Sequence, residues 1–129
     1  DFHYTIHIED ELKGYILPRF IFQPLVENAI LHGLRDVEQK ELVIEGSILD
    51  DQVFLSVRDN GVGMDTARLQ EIAEKLEQGV SIDGSIGLCN VNQRIRATYG
   101  DAYGLELQSQ LGYGTCVTLV LPKDNPLYH

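Results

Sequence analysis

Five stretches of the chain have the alternating or β-branched residue pattern that predicts β-strands. Asp50 and Asp51 separate the second stretch from the third, and Gly112 and Gly114 lie where the fourth stretch meets the fifth. Because such residues favour tight turns, we expect a hairpin at each of these two places. The predicted strands are residues 3–8, 41–49, 52–58, 104–111 and 113–121.

Three further stretches have the pattern of helices. Pro18 suits the first turn of one helix, and Gly33 suits its end. Asp65 is a good N-cap for a second, short polar helix. Residues 78–85 contain glycines and predict a mobile loop before the third helix. The predicted helices are residues 18–33, 66–77 and 86–99.

The order of these elements predicts the fold class. One strand and one helix are followed by two strands, two helices and two strands, which is not a repeating strand–helix–strand pattern. We therefore expect a two-layer α/β sandwich, with a mixed, mostly antiparallel sheet and the helices on one face. The length of 129 residues fits a single domain, in which residues 122–129 would form a tail.

Charge and hydrophobicity exclude some partners. The formal net charge of −10 argues against nucleic acids and anionic membranes, because both attract basic surfaces. No apolar run approaches the roughly 20 residues of a membrane-spanning helix, so we expect no direct membrane contact from this segment. The sequence begins at Asp1 without an initiator methionine, and we expect it to be a fragment of a longer chain.

Polar residues of the first predicted helix form a candidate binding surface. Asn28, His32 and Arg35 are spaced by four and three residues, so their side chains would share one surface of a regular helix. An amide oxygen is a hard ligand that suits Mg²⁺, and the two basic residues would suit phosphate. The alternative is a solvated polar stripe.

Three glycine-containing segments are candidates for contact with a ligand. Asp59 follows a predicted strand, and the glycines after it allow a close approach of the backbone to a ligand. Its carboxylate could accept a hydrogen bond from an exocyclic amine such as that of adenine, although a simple turn is the alternative. Residues 84–88 open a helix and could bind phosphate there. Residues 112–115 alone predict only a hairpin turn.

Taken together, these segments resemble the GHKL ATPase superfamily, whose Bergerat fold holds ATP between a helix and a long lid. Residues 23–33 would be its N box, residues 59–63 its G1 box, residues 84–88 its G2 box and residues 112–115 its G3 element. Within that superfamily, the sequences QPLVENAILHG and GLCNVNQRIRATYG are similar to those of LytS/YesM-like sensor histidine kinases.

The resemblance implies a role for each matching residue. Asn28 would bind Mg²⁺, Asp59 would hydrogen-bond the adenine amine, and Thr115 would lie near the base. Residues 64–84 would form the lid. Glu27 would either orient the incoming histidine or only join a polar network. The remaining residues implied to contact the nucleotide are Gly61, Gly63, Gly84, Gly87, Leu88, His32 and Arg35.

Leu31, Cys89 and Ile82 depart from the family pattern, and Pro24 separates this chain from other members of the superfamily. Leu31 stands where related kinases often have a lysine, and His32, Arg35 or Arg94 would have to supply its phosphate contact. Pro24 stands where the ATP-hydrolysing members have a glutamate general base. A stand-alone ATPase is therefore the least favoured interpretation.

The resemblance implies a protein histidine kinase domain that uses ATP and Mg²⁺. It would transfer the γ-phosphoryl group to a histidine of an upstream dimerisation domain, in a homodimer, and a response regulator would receive the group next. The domain would lie on the cytoplasmic side of a membrane sensor protein. The alternative is a regulatory module that keeps the fold without the phosphoryl transfer.

Overall fold

The computed structural model describes residues 2–15, 19–80 and 86–124. The predicted order of elements is confirmed, with boundaries that differ by one or two residues at most places. A short 3₁₀ turn, Asp10–Leu12, follows the first strand. The strands are β1 (Phe2–Ile8), β2 (Lys40–Leu49), β3 (Gln52–Asp59), β4 (Gly104–Gln110) and β5 (Gly114–Pro122), and the helices are α1 (Arg19–Asn28), α2 (Thr66–Gln78) and α3 (Ile86–Tyr99).

The five strands form one mixed sheet with the order β1-β2-β3-β5-β4. Strands β1 and β2 are parallel, and the other three neighbouring pairs are antiparallel. Asp50 and Asp51 form the turn between β2 and β3 with φ of 51° and 64°, a conformation that aspartate tolerates better than most residues. The expected hairpin and the mostly antiparallel sheet are therefore confirmed.

The core lies between one face of the sheet and the helices. Leu25 of α1 and Ile95 of α3 are fully buried against this face. Most buried residues of β3 and β5 alternate along the chain, so that their neighbours point to the opposite face, and Val120 is the exception that is buried there. The expected two-layer sandwich is therefore confirmed, and its buried central-strand residues are Val53, Val57, Val117, Leu119 and Leu121.

The first helix differs from the expected continuous helix. Its α-helical part ends at Asn28, and Ala29–Gly33 form a π-helical turn, in which the N–H of Leu34 donates to the carbonyl of Ala29 at 2.9 Å. A π-turn adds a residue to the turn and changes the angular spacing of the side chains. The expectation that Arg35 shares one helical surface with Asn28 was therefore wrong. The predicted start of this helix, Pro18, lies outside the described residues.

The packing bears on two other expectations. Within the predicted lid, α2 buries Ile72 and Leu76 in the core, so this part of the segment packs against the rest of the domain, and its closure over a nucleotide stays a prediction. Pro122 was expected to begin a tail, but it belongs to β5, and its carbonyl accepts a hydrogen bond from the Tyr15 hydroxyl at 2.8 Å. Residues 81–85 and 125–129, which contain the rest of the predicted loop and tail, lie outside the described residues.

None of the helices in residues 2–15, 19–80 and 86–124 has the length and hydrophobicity needed to cross a bilayer.

Candidate functional site

A cavity of about 170 Å³ lies between the end of the first helix, the loop after β3, the start of α2 and strand β5. Its size is below the roughly 300–1,000 Å³ of pockets that enclose a drug-sized ligand, so it suits a ring-sized group. Sequence-predicted residues from four separate segments meet in this cavity. They are Asn28, His32, Asp59, Gly63, Leu88 and Thr115.

Asp59 is the buried acidic residue of this cavity, with an exposed fraction of only 4%. Its Oδ1 accepts hydrogen bonds from the backbone N–H groups of Gly61 at 2.9 Å and Thr115 at 3.3 Å. In the described part of the chain, its Oδ2 accepts no hydrogen bond. A buried oxygen of this kind can accept a donor supplied by a ligand.

Three glycines pack directly against residue 59. A Cβ on Gly33 would collide with the Asp59 carboxylate, and a Cβ on Gly114 would collide with its main-chain carbonyl. A Cβ on Gly61 would collide with the carbonyl of Gly33, which brings the end of the first helix against the loop after β3. Because these positions have no side chain, the backbone can pack closely around residue 59, and this packing holds the Asp59 carboxylate beside the cavity.

A hydroxyl pair links Thr115 to the loop after β3. The Ser109 hydroxyl donates to the carbonyl of Gly114 at 2.9 Å and accepts from the N–H of Met64 at 2.8 Å. Its only hydrogen is thereby used, so in the 2.9 Å contact between the two hydroxyls that of Thr115 is the donor. The remaining lone pairs of the Thr115 hydroxyl can therefore accept a hydrogen bond from a ligand.

A second, smaller cavity of about 80 Å³ adjoins the first and shares Asn28, His32 and Leu88 with it. Glu27 also lines it, and the Glu27 carboxylate accepts a hydrogen bond from the Gln23 side chain at 2.6 Å. Asn28 and His32 thus lie at the border between the two cavities. The remaining lining residues of the smaller cavity are Pro24, Leu31 and Gly87.

Not every candidate residue lies at these cavities. Arg35 lines neither of them, because the π-turn ends the helix before it, and Arg94 lines neither of them as well. Gly84 lies outside the described residues. Sequence reasoning also missed lining residues, above all Arg68 on α2, whose position follows from how α2 packs and not from a motif. Val62, Met64 and Ile72 also line it and lie within the predicted G1 box and lid without an assigned role, whereas Leu107 lies outside every predicted binding segment.

The protonation of Asp59 has a consequence for stability. Burial raises the pKa of the Asp59 carboxyl above its ordinary value, and the hydrogen bonds from the N–H groups of Gly61 and Thr115 oppose part of this rise. The folded chain therefore holds this proton more tightly than the unfolded chain does. Consequently, the contribution of Asp59 to the free energy of unfolding falls as the pH rises from about 3.9, the ordinary value, through the raised pKa.

Urea unfolding of the wild type and Asp59→Asn across this pH range, without nucleotide, checks this expectation. The asparagine can keep both backbone hydrogen bonds but cannot ionise, so the variant should gain stability relative to the wild type as the pH rises. Other carboxylates contribute equally to both proteins and cancel in the difference. A difference that stays constant with pH would contradict the raised pKa.

Comparison with known proteins identifies the family. The family model for histidine kinase-, DNA gyrase B-, and HSP90-like ATPases matches residues 15–125. Sensor histidine kinase YesM of Bacillus subtilis strain 168 is 32% identical over 123 residues, which are 95% of this chain and 20% of YesM. Sensor protein LytS of Bacillus cereus is 33% identical over 120 residues, which are 92% of this chain and 20% of LytS.

Solved structures show the same fold. The catalytic domain of histidine kinase ThkA superposes with a TM-score of 0.68 at 16% identity, over 95% of this chain and 80% of that chain. The histidine kinase AdeS of Acinetobacter baumannii superposes with a TM-score of 0.64 at 16% identity, over 96% of this chain and 55% of AdeS.

This chain belongs to the family of histidine kinase-, DNA gyrase B-, and HSP90-like ATPases, as the resemblance predicted. ATP is the ligand that this membership supports. The chain spans about a fifth of the length of YesM and LytS, so it corresponds to one part of such sensor proteins.

Proposed function

We propose that this chain is the ATP-binding catalytic domain of a two-component sensor histidine kinase. The observation that supports this best is the cavity in which Asn28 and Asp59 lie together, in a chain of this ATPase family. The domain would transfer the γ-phosphoryl group of ATP to a histidine of an upstream dimerisation domain in a homodimer. A response regulator in the cytoplasm, where ATP is available, would then receive the phosphoryl group.

The geometry suggests how ATP would lie. The adenine amine would donate to Oδ2 of Asp59 inside the larger cavity, and the Thr115 hydroxyl would accept a further hydrogen bond there. The volume of about 170 Å³ suits the base and leaves the triphosphate to the side of the second cavity. That side is where Asn28 and His32 border the second cavity. Gly87 and the start of α3 would face the phosphates, where backbone N–H groups and the helix dipole favour anions.

Mg²⁺ fits this donor set only in combination with ATP. Asn28 offers an amide oxygen, and no cluster of three or more His, Cys, Asp or Glu ligands occurs within the described residues. Magnesium ions in such sites take most of their ligands from substrate phosphates and water. Bound there, the ion would neutralise charge on the phosphates.

The transfer needs little acid–base chemistry from this domain. An imidazole is already nucleophilic near neutral pH, and phosphoryl transfer depends mainly on positioning and charge neutralisation. Pro24 lines the second cavity at the position where a general base would activate water, and proline cannot accept a proton. Glu27 lines the same cavity and would orient the incoming histidine there.

A phosphotransfer assay tests the proposal. The domain is incubated with γ-labelled ATP and Mg²⁺, and the upstream acceptor segment is supplied either in the same chain or separately. Label on the acceptor histidine is the expected result. Nucleotide binding without label on the acceptor would indicate the alternative, a regulatory module that keeps the fold without transfer.

Removal of the Asn28 side-chain amide tests whether this residue is a ligand of Mg²⁺. The Asn28→Ala variant should bind ATP about tenfold more weakly in the presence of Mg²⁺, because the ion loses its protein ligand. With EDTA, the two proteins should bind ATP nearly equally. Calorimetric titration measures this, and Asn90→Ala, on the exposed surface of α3, is the matched control. Equal Mg²⁺ dependence in wild type and Asn28→Ala would contradict the metal role.

A further inference from the structure

Arg68 has a position that the motifs do not explain. It lies in the first turn of α2 and lines the larger cavity together with Asn28, His32 and Asp59. In the described part of the chain, it is the one arginine of this lining, which contains no lysine. A domain with a net charge of −10 repels a polyanion, so a cation at the cavity has a large effect on whether ATP can bind.

The backbone of Arg68 is fixed while its side chain remains accessible. Its N–H donates to the Asp65 carboxylate at 2.8 Å, which caps α2. Ile72, one turn later, is buried and lines the same cavity. The side chain of Arg68 is 44% exposed, so its guanidinium can change direction without disturbing the core.

Arg68 forms an ion pair with Glu71, and breaking this pair costs little free energy. Its Nη1 lies 3.0 Å from Oε1 of Glu71, and Nζ of Lys75 lies 3.3 Å from that same oxygen. Glu71 would therefore keep a cation if Arg68 turned away. Exposed ion pairs within one helix contribute little to stability, whereas arginine binds phosphate through strong paired hydrogen bonds.

We propose that Arg68 binds the phosphate groups of the nucleotide and supplies the positive charge that Leu31 does not provide. Phosphate and Glu71 then compete for the same guanidinium, so Glu71 limits the affinity for ATP. This inference rests on the proposed binding of ATP in the larger cavity. It assigns the phosphate contact to α2. Arg68 shares the larger cavity with Asn28 and His32, and its exposed guanidinium would turn towards them to reach the phosphates, whereas neither Arg35 nor Arg94 lines either cavity.

The test compares the binding of Mg²⁺–ATP and adenosine by calorimetry in low salt. Arg68→Gln should weaken ATP binding roughly 10- to 100-fold, the usual effect of losing hydrogen bonds between charged groups. Adenosine binding should change less than about twofold, because adenosine lacks phosphate. The control Arg58→Gln removes the same charge from β3, where Arg58 pairs with Glu45, and should change ATP binding less than about twofold.

Glu71 provides an independent arm of the experiment. Glu71→Gln should strengthen ATP binding about two- to fivefold, because it removes the competitor of phosphate. Glu74→Gln removes the same charge from the exposed side of α2 and serves as the control. In an Arg68→Gln background, the gain from Glu71→Gln should disappear, which a general charge effect could not explain.

Each outcome decides the matter. ATP affinity that is unchanged in Arg68→Gln overturns the inference and leaves the proposed function intact. An equal loss for adenosine and ATP also overturns it, since Arg68 would then contact the base. Failure of the folded wild type to bind any adenine nucleotide would instead overturn the proposed function, and this inference with it.

Discussion

Replacement of Asp59 by asparagine is expected to abolish ATP binding while the domain stays folded. Oδ1 of Asp59 accepts from the backbone N–H groups of Gly61 and Thr115, so the amide oxygen of the asparagine must take that place. The NH₂ group then occupies the position of Oδ2, and a donor faces the donor of the adenine amine. Two buried donors facing each other should lower the affinity at least about 100-fold.

The same geometry predicts a change of nucleotide preference in Asp59→Asn, which a misfolded protein could not show. Inosine triphosphate has a carbonyl oxygen where ATP has the amine, so Asp59→Asn should shift the preference from ATP towards inosine triphosphate. Asp65→Asn is the control, because it removes a nearby carboxylate while asparagine caps α2 equally well. Calorimetry with both nucleotides provides the comparison. Affinity for ATP within about threefold of the wild type would contradict the base contact.

Most of the fold could be predicted because local rules and burial agree in this chain. Alternation identified the strands, and their turns lie where two aspartates or two glycines allow positive φ. The cap Asp65 and the left-handed Gly100 delimit α2 and α3 near the predicted residues. The pairing of β1 with β2 is parallel and joins segments more than 30 residues apart, so alternation alone did not reveal it.

The site was predicted less completely, because motifs identify the residues of a site but do not determine how the helices pack. The conversion of α1 to a π-turn at Ala29 moved Arg35 away from the cavity, and nothing in an ideal period of 100° per residue predicts such a change. Arg68 was missed for the opposite reason. It belongs to a polar stretch of α2, and only the burial of Ile72 and Leu76 turns it towards the cavity.

The glycines illustrate the same limit. The sequence showed Gly112 and Gly114 as equivalent members of a hairpin turn, and both have positive φ, 87° and 106°. In the folded chain they differ, because a Cβ on Gly112 would meet no atom within 4 Å, whereas a Cβ on Gly114 would collide with the Asp59 carbonyl. An alanine would therefore strain the backbone at either position, but only at position 114 would its Cβ also collide with residue 59.

This difference leads to a second large expected effect. Gly114→Ala should lower the free energy of unfolding by about 3–5 kcal/mol, the sum of backbone strain and displacement of β5 from the end of β3. Gly112→Ala should cost only about 1–2 kcal/mol, since strain alone acts there. Urea unfolding of the two variants measures the difference. Equal losses of stability would mean that β5 does not pack closely against residue 59.

Nucleotide affinity distinguishes this effect from a general loss of stability. Displacement of Gly114 also moves Thr115, whose N–H donates to the Asp59 carboxylate and whose hydroxyl is held by Ser109. At temperatures where both variants remain folded, Gly114→Ala should therefore bind ATP more weakly than Gly112→Ala does. If both bound ATP as the wild type does, the close packing would stabilise the hairpin without positioning the carboxylate that we expect to bind adenine.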